Sequence, residues 1–544
     1  MCYTNLIVRQ RLSIFNHFCM NKNKNWVYVL LFATVALGFF LRFINIEHTP
    51  PGVYPDEAVN GIDAIGAINS GNYEWFYTAN NGREGLFMNM VALCFQLFGV
   101  SVMSLKLPAI LCGTLVVLGT YLLTKELFTA FFPAGRKERI ALIAGYLVAV
   151  SFWAINFSRI SFRANMLPLV LVFTFYFLFK GLRTKKWWDF AFGGLIFGIG
   201  LHTYIAFRIA PAILIVMLAS FLFSRKKFLQ DYWKHILIFV AFTIVSAAPI
   251  LYTFFLHPEF LESRSASISV LAPEVNGGQP VQTFLRSLAF SLIKYNFWGD
   301  QNWRHNYPPY PILDIISGTA FLFGLIYSVL RLIRLFLSRV FKKERNAEMD
   351  LYLFLVSWFF IMLAPEFMTA EGMPHALRAI GTLPVTFIFS AIAIDYLIEY
   401  TKKYSWFPRG IFTFLIVAML LFVGLFNSLK YHIFWASQTE TARSFENVLM
   451  DVSRYLKTLP AQKEKFVVAE NMQRIPILLF NQNMPNLEMV YAGEIRLLEP
   501  KTENFIIILT DKNDEVINYL QNKFPALELK ETKDSYGLSF YTME

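Results

Sequence analysis

Long apolar runs recur along the whole chain, and they constrain its fold more than any other feature. The first, roughly Val27 to Ile44, is long enough at about 1.5 Å per residue to cross a hydrocarbon core of about 30 Å. Others lie at roughly 105 to 124, 140 to 156, 164 to 180, 188 to 204, 208 to 223, 235 to 256, 312 to 338, 351 to 365, 379 to 398 and 410 to 427. About eleven spans are expected. Composition agrees: the 544 residues are 56% hydrophobic and 16% charged, with mean hydropathy +0.45, outside the range of ordinary soluble domains. A basic head precedes the first run, as in a signal peptide. The run is long, however, and "RFINIEHTPPG" follows it in place of a small-residue cleavage site, so it reads as a retained anchor.

Orientation follows from lysine and arginine in the short loops, since positive residues near span ends stay cytoplasmic. Arg9, Arg11, Lys22 and Lys24 fall on one side, together with "TKELFTAFFPAGRKER", "KGLRTKK", "SRKKFLQDYWK", "RLIRLFLSRVFKKER" and "TKKYSWFPR". These segments hold 25 of the chain's 49 lysines and arginines. Residues 1–26 are therefore expected to be cytoplasmic, and the loop after the first span to face outward. The net charge of +11 is accounted for by topology, and no nucleic acid is expected. Cys2, Cys19, Cys94 and Cys112 show no disulfide or metal-thiolate spacing.

Three outward segments are large. Residues 45–105 hold adjacent acids in "YPDEAVN", the polar stretch "YTANNGREGLF", and the apolar "LFMNMVALCFQLFG", which is too short to span and suits an interfacial helix. Residues 257–310 end in "FWGDQNWRHNYPPYP", whose aromatics suit sugar faces and interfacial belts equally. From residue 430 to 544 the composition turns mixed. There "ARSFENVLMDVSRYLKTL" and "DEVINYLQNKF" read as helices, and "KFVVAE", "NFIIILTD" and "GLSFYTM" as strands, so a small extracytoplasmic α/β domain is expected. Residues 27–429 then form a polytopic α-helical domain.

Pro55 suits the first turn of a helix, which places Asp56 and Glu57 at a positive helix end that favours ionised carboxylates. Adjacent residues point about 100° apart on a helix, so they do not form a facing pair of glycosidase type. They read either as an ordinary acidic helix start or as a base with a differently placed companion. Outward span ends carry Arg83, Arg159, Arg163, Arg208 and Arg378, several within "NFSRISFRANMLPL" and "HTYIAFRIAP". Guanidinium groups at one depth are costly unless paired or bound to an anion, and they match phosphate oxygens bidentately. Singly, an arginine snorkels to headgroups; five on one side point to a lipid-linked phosphate or pyrophosphate substrate. His202, His305 and His375 lack the short spacing of a zinc site and read as hydrogen-bonding residues.

The ordered set of an early span, "PDEAVNG" and "GREGLFMNMVALCFQLFGVSVMSLKLPAILCGTLVVLGTYLLTKELF" resembles the GT-C superfamily of polyprenol-dependent glycosyltransferases. Within it, the likeness is to the branch of protein O-mannosyltransferases and the lipid A aminoarabinose transferase. It covers roughly residues 27 to 210. The resemblance implies a GT-C fold with a catalytic first loop, Asp56 as general base, and Glu57 completing its motif. It implies a polyprenyl-phosphate-linked sugar donor and a lipid, glycan or protein acceptor at the outer face of the cytoplasmic membrane. Substrate-binding candidates by position are Arg83, Glu84, Arg159, Arg163, His202, Tyr204, Arg208, His305, His375 and Arg378. Metal use differs among such enzymes, which leaves a divalent cation open. The competing readings are a transporter or flippase of a lipid-linked or anionic substrate and a non-catalytic envelope assembly protein. A transporter would gather ionisable residues at the midplane, whereas these lie at the outer ends.

Overall fold

The computed structural model describes residues 25–79, 82–262, 269–343, 346–402 and 409–544. The N-terminal basic residues, Cys2 and Cys19 lie outside them, as do Asn80, Asn81, Arg345 and Lys403. Among the described residues nine helices are long and apolar enough to cross a membrane: Asn25–Phe43, Val102–Leu127, Arg163–Thr184, Ile205–Ser224, Phe228–Leu256, Ile315–Phe341, Glu348–Phe367, Ile380–Thr401 and Gly410–Trp435. The chain is a multi-pass membrane protein. Two of the eleven expected spans are built differently. One is the pair Ala134–Val150 and Phe152–Arg159, bent by 53°. The other, Trp187–Ile199, has only 13 residues, roughly 20 Å of helix, and is followed by a single turn at Gly200–His202 before the span Ile205–Ser224 begins.

The bend has a physical cause. Ser151 is extended (φ −66°, ψ 131°), which denies the preceding carbonyls their partners one turn later. Arg42 replaces those partners: its guanidinium donates to Ala149 O at 2.9 Å and Val148 O at 3.1 Å, and its Nε donates to Ser158 Oγ at 3.0 Å. Gly113 makes room for this, because a Cβ there would lie 1.9 Å from Ser158 Oγ. The short helix relies on similar closeness: a Cβ on Gly194 would lie 2.2 Å from Phe239 O, so backbone packs on backbone.

Ile380–Thr401 and Val102–Leu127 are the most enclosed spans, while Phe228–Leu256 and Asn25–Phe43 are mostly exposed. The outer helices carry exposed apolar side chains such as Phe32, Phe255, Phe323 and Phe414, as a lipid-facing surface requires. The helix Leu86–Phe98 buries Phe87, Met88, Val91, Ala92 and Phe95 and leaves Leu93, Leu97 and Phe98 exposed, which suits an interfacial position.

The first loop carries a short antiparallel hairpin of β1 Phe76–Tyr77 and β2 Arg83–Glu84. Beyond the last span, β3 Glu464–Val468, β4 Leu487–Val490, β5 Phe505–Leu509, β6 Leu529–Lys533 and β7 Ser539–Met543 form a five-stranded mixed sheet in the order β4-β3-β5-β7-β6. β3 runs parallel to β4 and β5, and β7 antiparallel to β5 and β6. Alternate residues of β5 feed two cores. Ile507 and Leu509 pack with Val516 and Leu520 of helix Asp514–Lys523, while Ile506 and Ile508 pack with Val452 and Ile477 of the helices Asn447–Leu456 and Arg474–Phe480. A strand covered on both faces reads as an unbroken apolar run, hence "FIIIL". The expected long helix through "ARSFENVLMDVSRYL" is interrupted, because Glu446 adopts a left-handed conformation (φ 56°) between Thr439–Ser444 and Asn447–Leu456. The sheet lies on the same side as the first loop. Met450 and Leu479 share a core cluster with Val53, Ala58, Phe87 and Leu105. At Gly52 (φ +85°) a Cβ would fall 2.4 Å from Phe445 O.

Candidate active site

The helix Pro55–Ser70 opens directly after the first span, with Tyr54 extended and Pro55 in the first turn. The 100° step between neighbours separates the two acids as expected. Asp56 is half-buried and lines a cavity of about 930 Å³. Glu57 faces the protein interior and does not line it. Its Oε2 accepts the Ser161 backbone N–H at 2.9 Å and lies 3.9 Å from Lys106 Nζ, with both side chains fully buried. Burial pushes the Glu57 carboxyl above its usual pKa, opposed by Lys106 and the Ser161 amide.

The neighbouring hairpin, β1 (Phe76–Tyr77) paired with β2 (Arg83–Glu84), brings two predicted residues to the cavity wall. Arg83 spends its donors locally, on Asp63, Asn60 Oδ1 and Ala79 O. Glu84 is buried; it accepts from Arg163 Nε at 2.7 Å and stands 3.9 Å from Arg208 NH2. Arg163 also lies over the Tyr204 ring, 5.7 Å from its centroid. Arg163, Tyr204, Arg208, His305, His375 and Arg378 all line the same cavity. Arg378 reaches it while bonded to Glu371 Oε2 at 2.9 Å and Thr369 Oγ1 at 2.8 Å.

Two expected residues lie elsewhere. The bend at Ser151 turns Arg159 into the interior, where it caps Thr49 O at 2.6 Å and Leu41 O at 3.1 Å. His202 bonds Ser246 O at 2.9 Å and meets the Trp75 ring edge-on. Neither lines the cavity.

Residues not singled out from sequence complete the wall. The segment 300–305 contributes Asp300, Gln301, Asn302 and Arg304, while Trp298, Trp303 and Tyr307 do not line the cavity. Its polar residues, not its aromatics, were the informative signal. The Arg304 guanidinium lies over the Tyr54 ring at 4.7 Å from its centroid. Asp300 Oδ2 accepts from His305 Nδ1 at 3.0 Å and from the Ala376 N–H at 2.7 Å. Burial alone would raise its carboxyl, but His305 and these bonds outweigh it and hold the pKa below the usual value. His375, beside them, is pushed well below 6.5 by burial and then by the charge of His305. One cavity thus holds a carboxylate at a helix start and five arginines, Arg83, Arg163, Arg208, Arg304 and Arg378.

Residues 86–252 match the family model described as dolichyl-phosphate-mannose-protein mannosyltransferase. Comparison with curated proteins finds no match. Among solved structures, ArnT from Cupriavidus metallidurans bound to undecaprenyl phosphate is similar over 95% of this chain and 98% of its own, at 12% identity and TM-score 0.53. Its apo state gives the same score over 96% and 98%. The archaeal oligosaccharyltransferase AglB from Archaeoglobus fulgidus, in complex with an inhibitory peptide and a dolichol-phosphate, matches over 86% of this chain and 65% of its own, at 14% identity and TM-score 0.49. The membrane-crossing helices, the first-loop helix and the appended sheet together give this chain the fold of ArnT, the GT-C fold.

Proposed function

We propose that the protein is an inverting glycosyltransferase that moves a sugar from a polyprenyl-phosphate donor to an acceptor at the outer face of the cytoplasmic membrane. The observation that carries this reading is the single cavity joining Asp56 to Arg163, Arg208, Arg304 and Arg378. Asp56 accepts the proton of an acceptor hydroxyl as that oxygen bonds to the anomeric carbon. The carbon–oxygen bond to phosphate breaks, and its electron pair leaves with the polyprenyl phosphate. Such a displacement needs one base and cations for the leaving group. Glu57 supports the motif from the buried side by holding Ser161 and Lys106. Residues 27–429 form the catalytic unit, with the 45–105 and 257–310 loops and the 430–544 α/β domain outside; the basic clusters of the opposite loops support that orientation. ArnT, of the same fold, was crystallised with undecaprenyl phosphate, which supports a lipid-phosphate donor. The acceptor is a lipid, glycan or protein, named by mass spectrometry of the cell envelope of a deletion strain. A sugar missing from one component is expected. An unchanged envelope together with no donor cleavage by the purified protein would overturn the reading.

A further inference from the structure

Two loops distant in sequence place Asp300, His305 and His375 together, with one donor atom of each within 4.8 Å of the others. The two imidazole rings lie 4.8 Å apart between centroids. The arrangement is braced on every side. Asp300 Oδ1 accepts the Asn302 N–H at 2.8 Å, and its Oδ2 binds both His305 and the chain at Ala376. The His375 backbone N–H donates at 2.9 Å to Glu366 Oε1, whose other oxygen is held by Lys294 in a fully buried ion pair. One atom in this braced cluster is unsatisfied: His375 Nδ1 is buried and has no hydrogen-bond partner.

An unpaired buried imidazole nitrogen next to a second imidazole and a carboxylate is a poor hydrogen-bond network and a good ligand set. Two histidines and one carboxylate are the donors that zinc and similar first-row divalent cations take, and three protein ligands leave one position open. Donors around such an ion sit about 3.4 Å apart. His305 Nδ1 donates to Asp300 Oδ2 at 3.0 Å; an ion held by that nitrogen would take the place of its proton, and loading would draw donors now up to 4.8 Å apart together by roughly 1.5 Å. All three residues line the cavity, so the open position faces it.

We propose that Asp300, His305 and His375 bind one zinc-class divalent cation, whose open position takes a phosphate oxygen of the donor. The binding of the ion stands on this geometry; its contact with phosphate rests on the glycosyltransferase reading. The test uses the full-length protein purified in detergent, stripped with EDTA and reloaded with Zn²⁺ or Co²⁺. Elemental analysis should give one equivalent of zinc. The cobalt form should show the visible bands of nitrogen and oxygen coordination. His305→Ala and His375→Ala should lose both, whereas Asp56→Asn should keep them. Size exclusion and thermal midpoints establish that the variants are folded. Where an alanine variant fails to fold, His375→Gln and the wild-type cobalt spectrum decide. No stoichiometric metal in the wild type, or equal metal in the folded histidine variants, would overturn the site. Full sugar transfer by the stripped protein would remove the phosphate contact and leave the transferase reading intact. Metal uptake without any transfer would keep the site and count against that reading.

Discussion

Arg163 donates to Glu84 across 2.7 Å, and Glu84 is almost wholly buried beneath it. Arg208 approaches the same carboxylate at 3.9 Å, so one acid orients two cavity arginines. Replacing Glu84 with Gln keeps the shape but removes the charge that aligns both forks. Donor affinity should fall about tenfold, close to 1.4 kcal/mol. Titration of a polyprenyl-phosphate sugar into the purified variant measures this. Tighter binding would mean that Glu84 competes with phosphate and does not present the arginines to it.

Asp56→Asn removes the proposed base without changing the helix start. Loss of a positioned base lowers turnover by about 10² to 10⁴, and donor binding should stay within a few-fold of wild type. Single-turnover kinetics separates the two. Wild-type turnover would exclude Asp56 as the base.

Two arginines that look alike in sequence should behave differently. Arg304 lines the cavity, so Arg304→Gln should raise the donor KM with little change in thermal midpoint. Arg159 caps two buried carbonyls, and Arg159→Met would leave them unpaired at about 1 to 3 kcal/mol each. It should therefore lower the midpoint even without donor. Unfolding curves and kinetics on both variants provide the comparison.

Glu57 gives a pH signature. Its folded pKa is raised by burial, so above the ordinary 4.5 the folded chain holds its proton more tightly than the unfolded chain. That contribution is fully present below the unfolded value and is lost as pH rises through the folded one. Glu57→Gln should flatten this decline. At neutral pH the neutral amide should hold its stability relative to wild type, because burial already outweighs the pull of Lys106 on the Glu57 carboxylate. Thermal midpoints from pH 5 to 8 check both.

Gly52→Ala should loosen the contact between the first loop and the sheet. The new methyl would meet Phe445 O at 2.4 Å at a positive φ, and a loss of at least about 1 to 3 kcal/mol is expected. Limited proteolysis between residues 430 and 460 should become faster in this variant and stay slow in the wild type.

The apolar runs gave a legible membrane layout, and the α/β pattern beyond residue 430 was legible through "FIIIL" and its neighbours. Strand β6 was not, since "LKETK" is polar and lies at a sheet edge. The helix Trp187–Ile199 is legible as apolar but not as short, and its close packing through Gly193 and Gly194 on Phe239 joins segments distant in sequence. At the site, helix phase separated Asp56 from Glu57 as the sequence implied, yet nothing local reveals that Lys106 waits behind Glu57. Arginine positions near span ends were visible, but the inward turn of Arg159 depends on the break at Ser151 and on Arg42. The grouping of Asp300 with His305 and His375 joins loops separated by two spans, so sequence spacing cannot show it.

The packing of Leu479 against Gly61 sets an order of events during biosynthesis. The helix bearing Asp56 is made long before the segment around Leu479 that closes over its outer side. Until ribosomes have passed residue 480 and the sheet has folded, that helix lacks its outer wall. A truncated or stalled chain would therefore hold every cavity-lining residue, all of which lie between Tyr54 and Arg378, while leaving the far side of that helix uncovered.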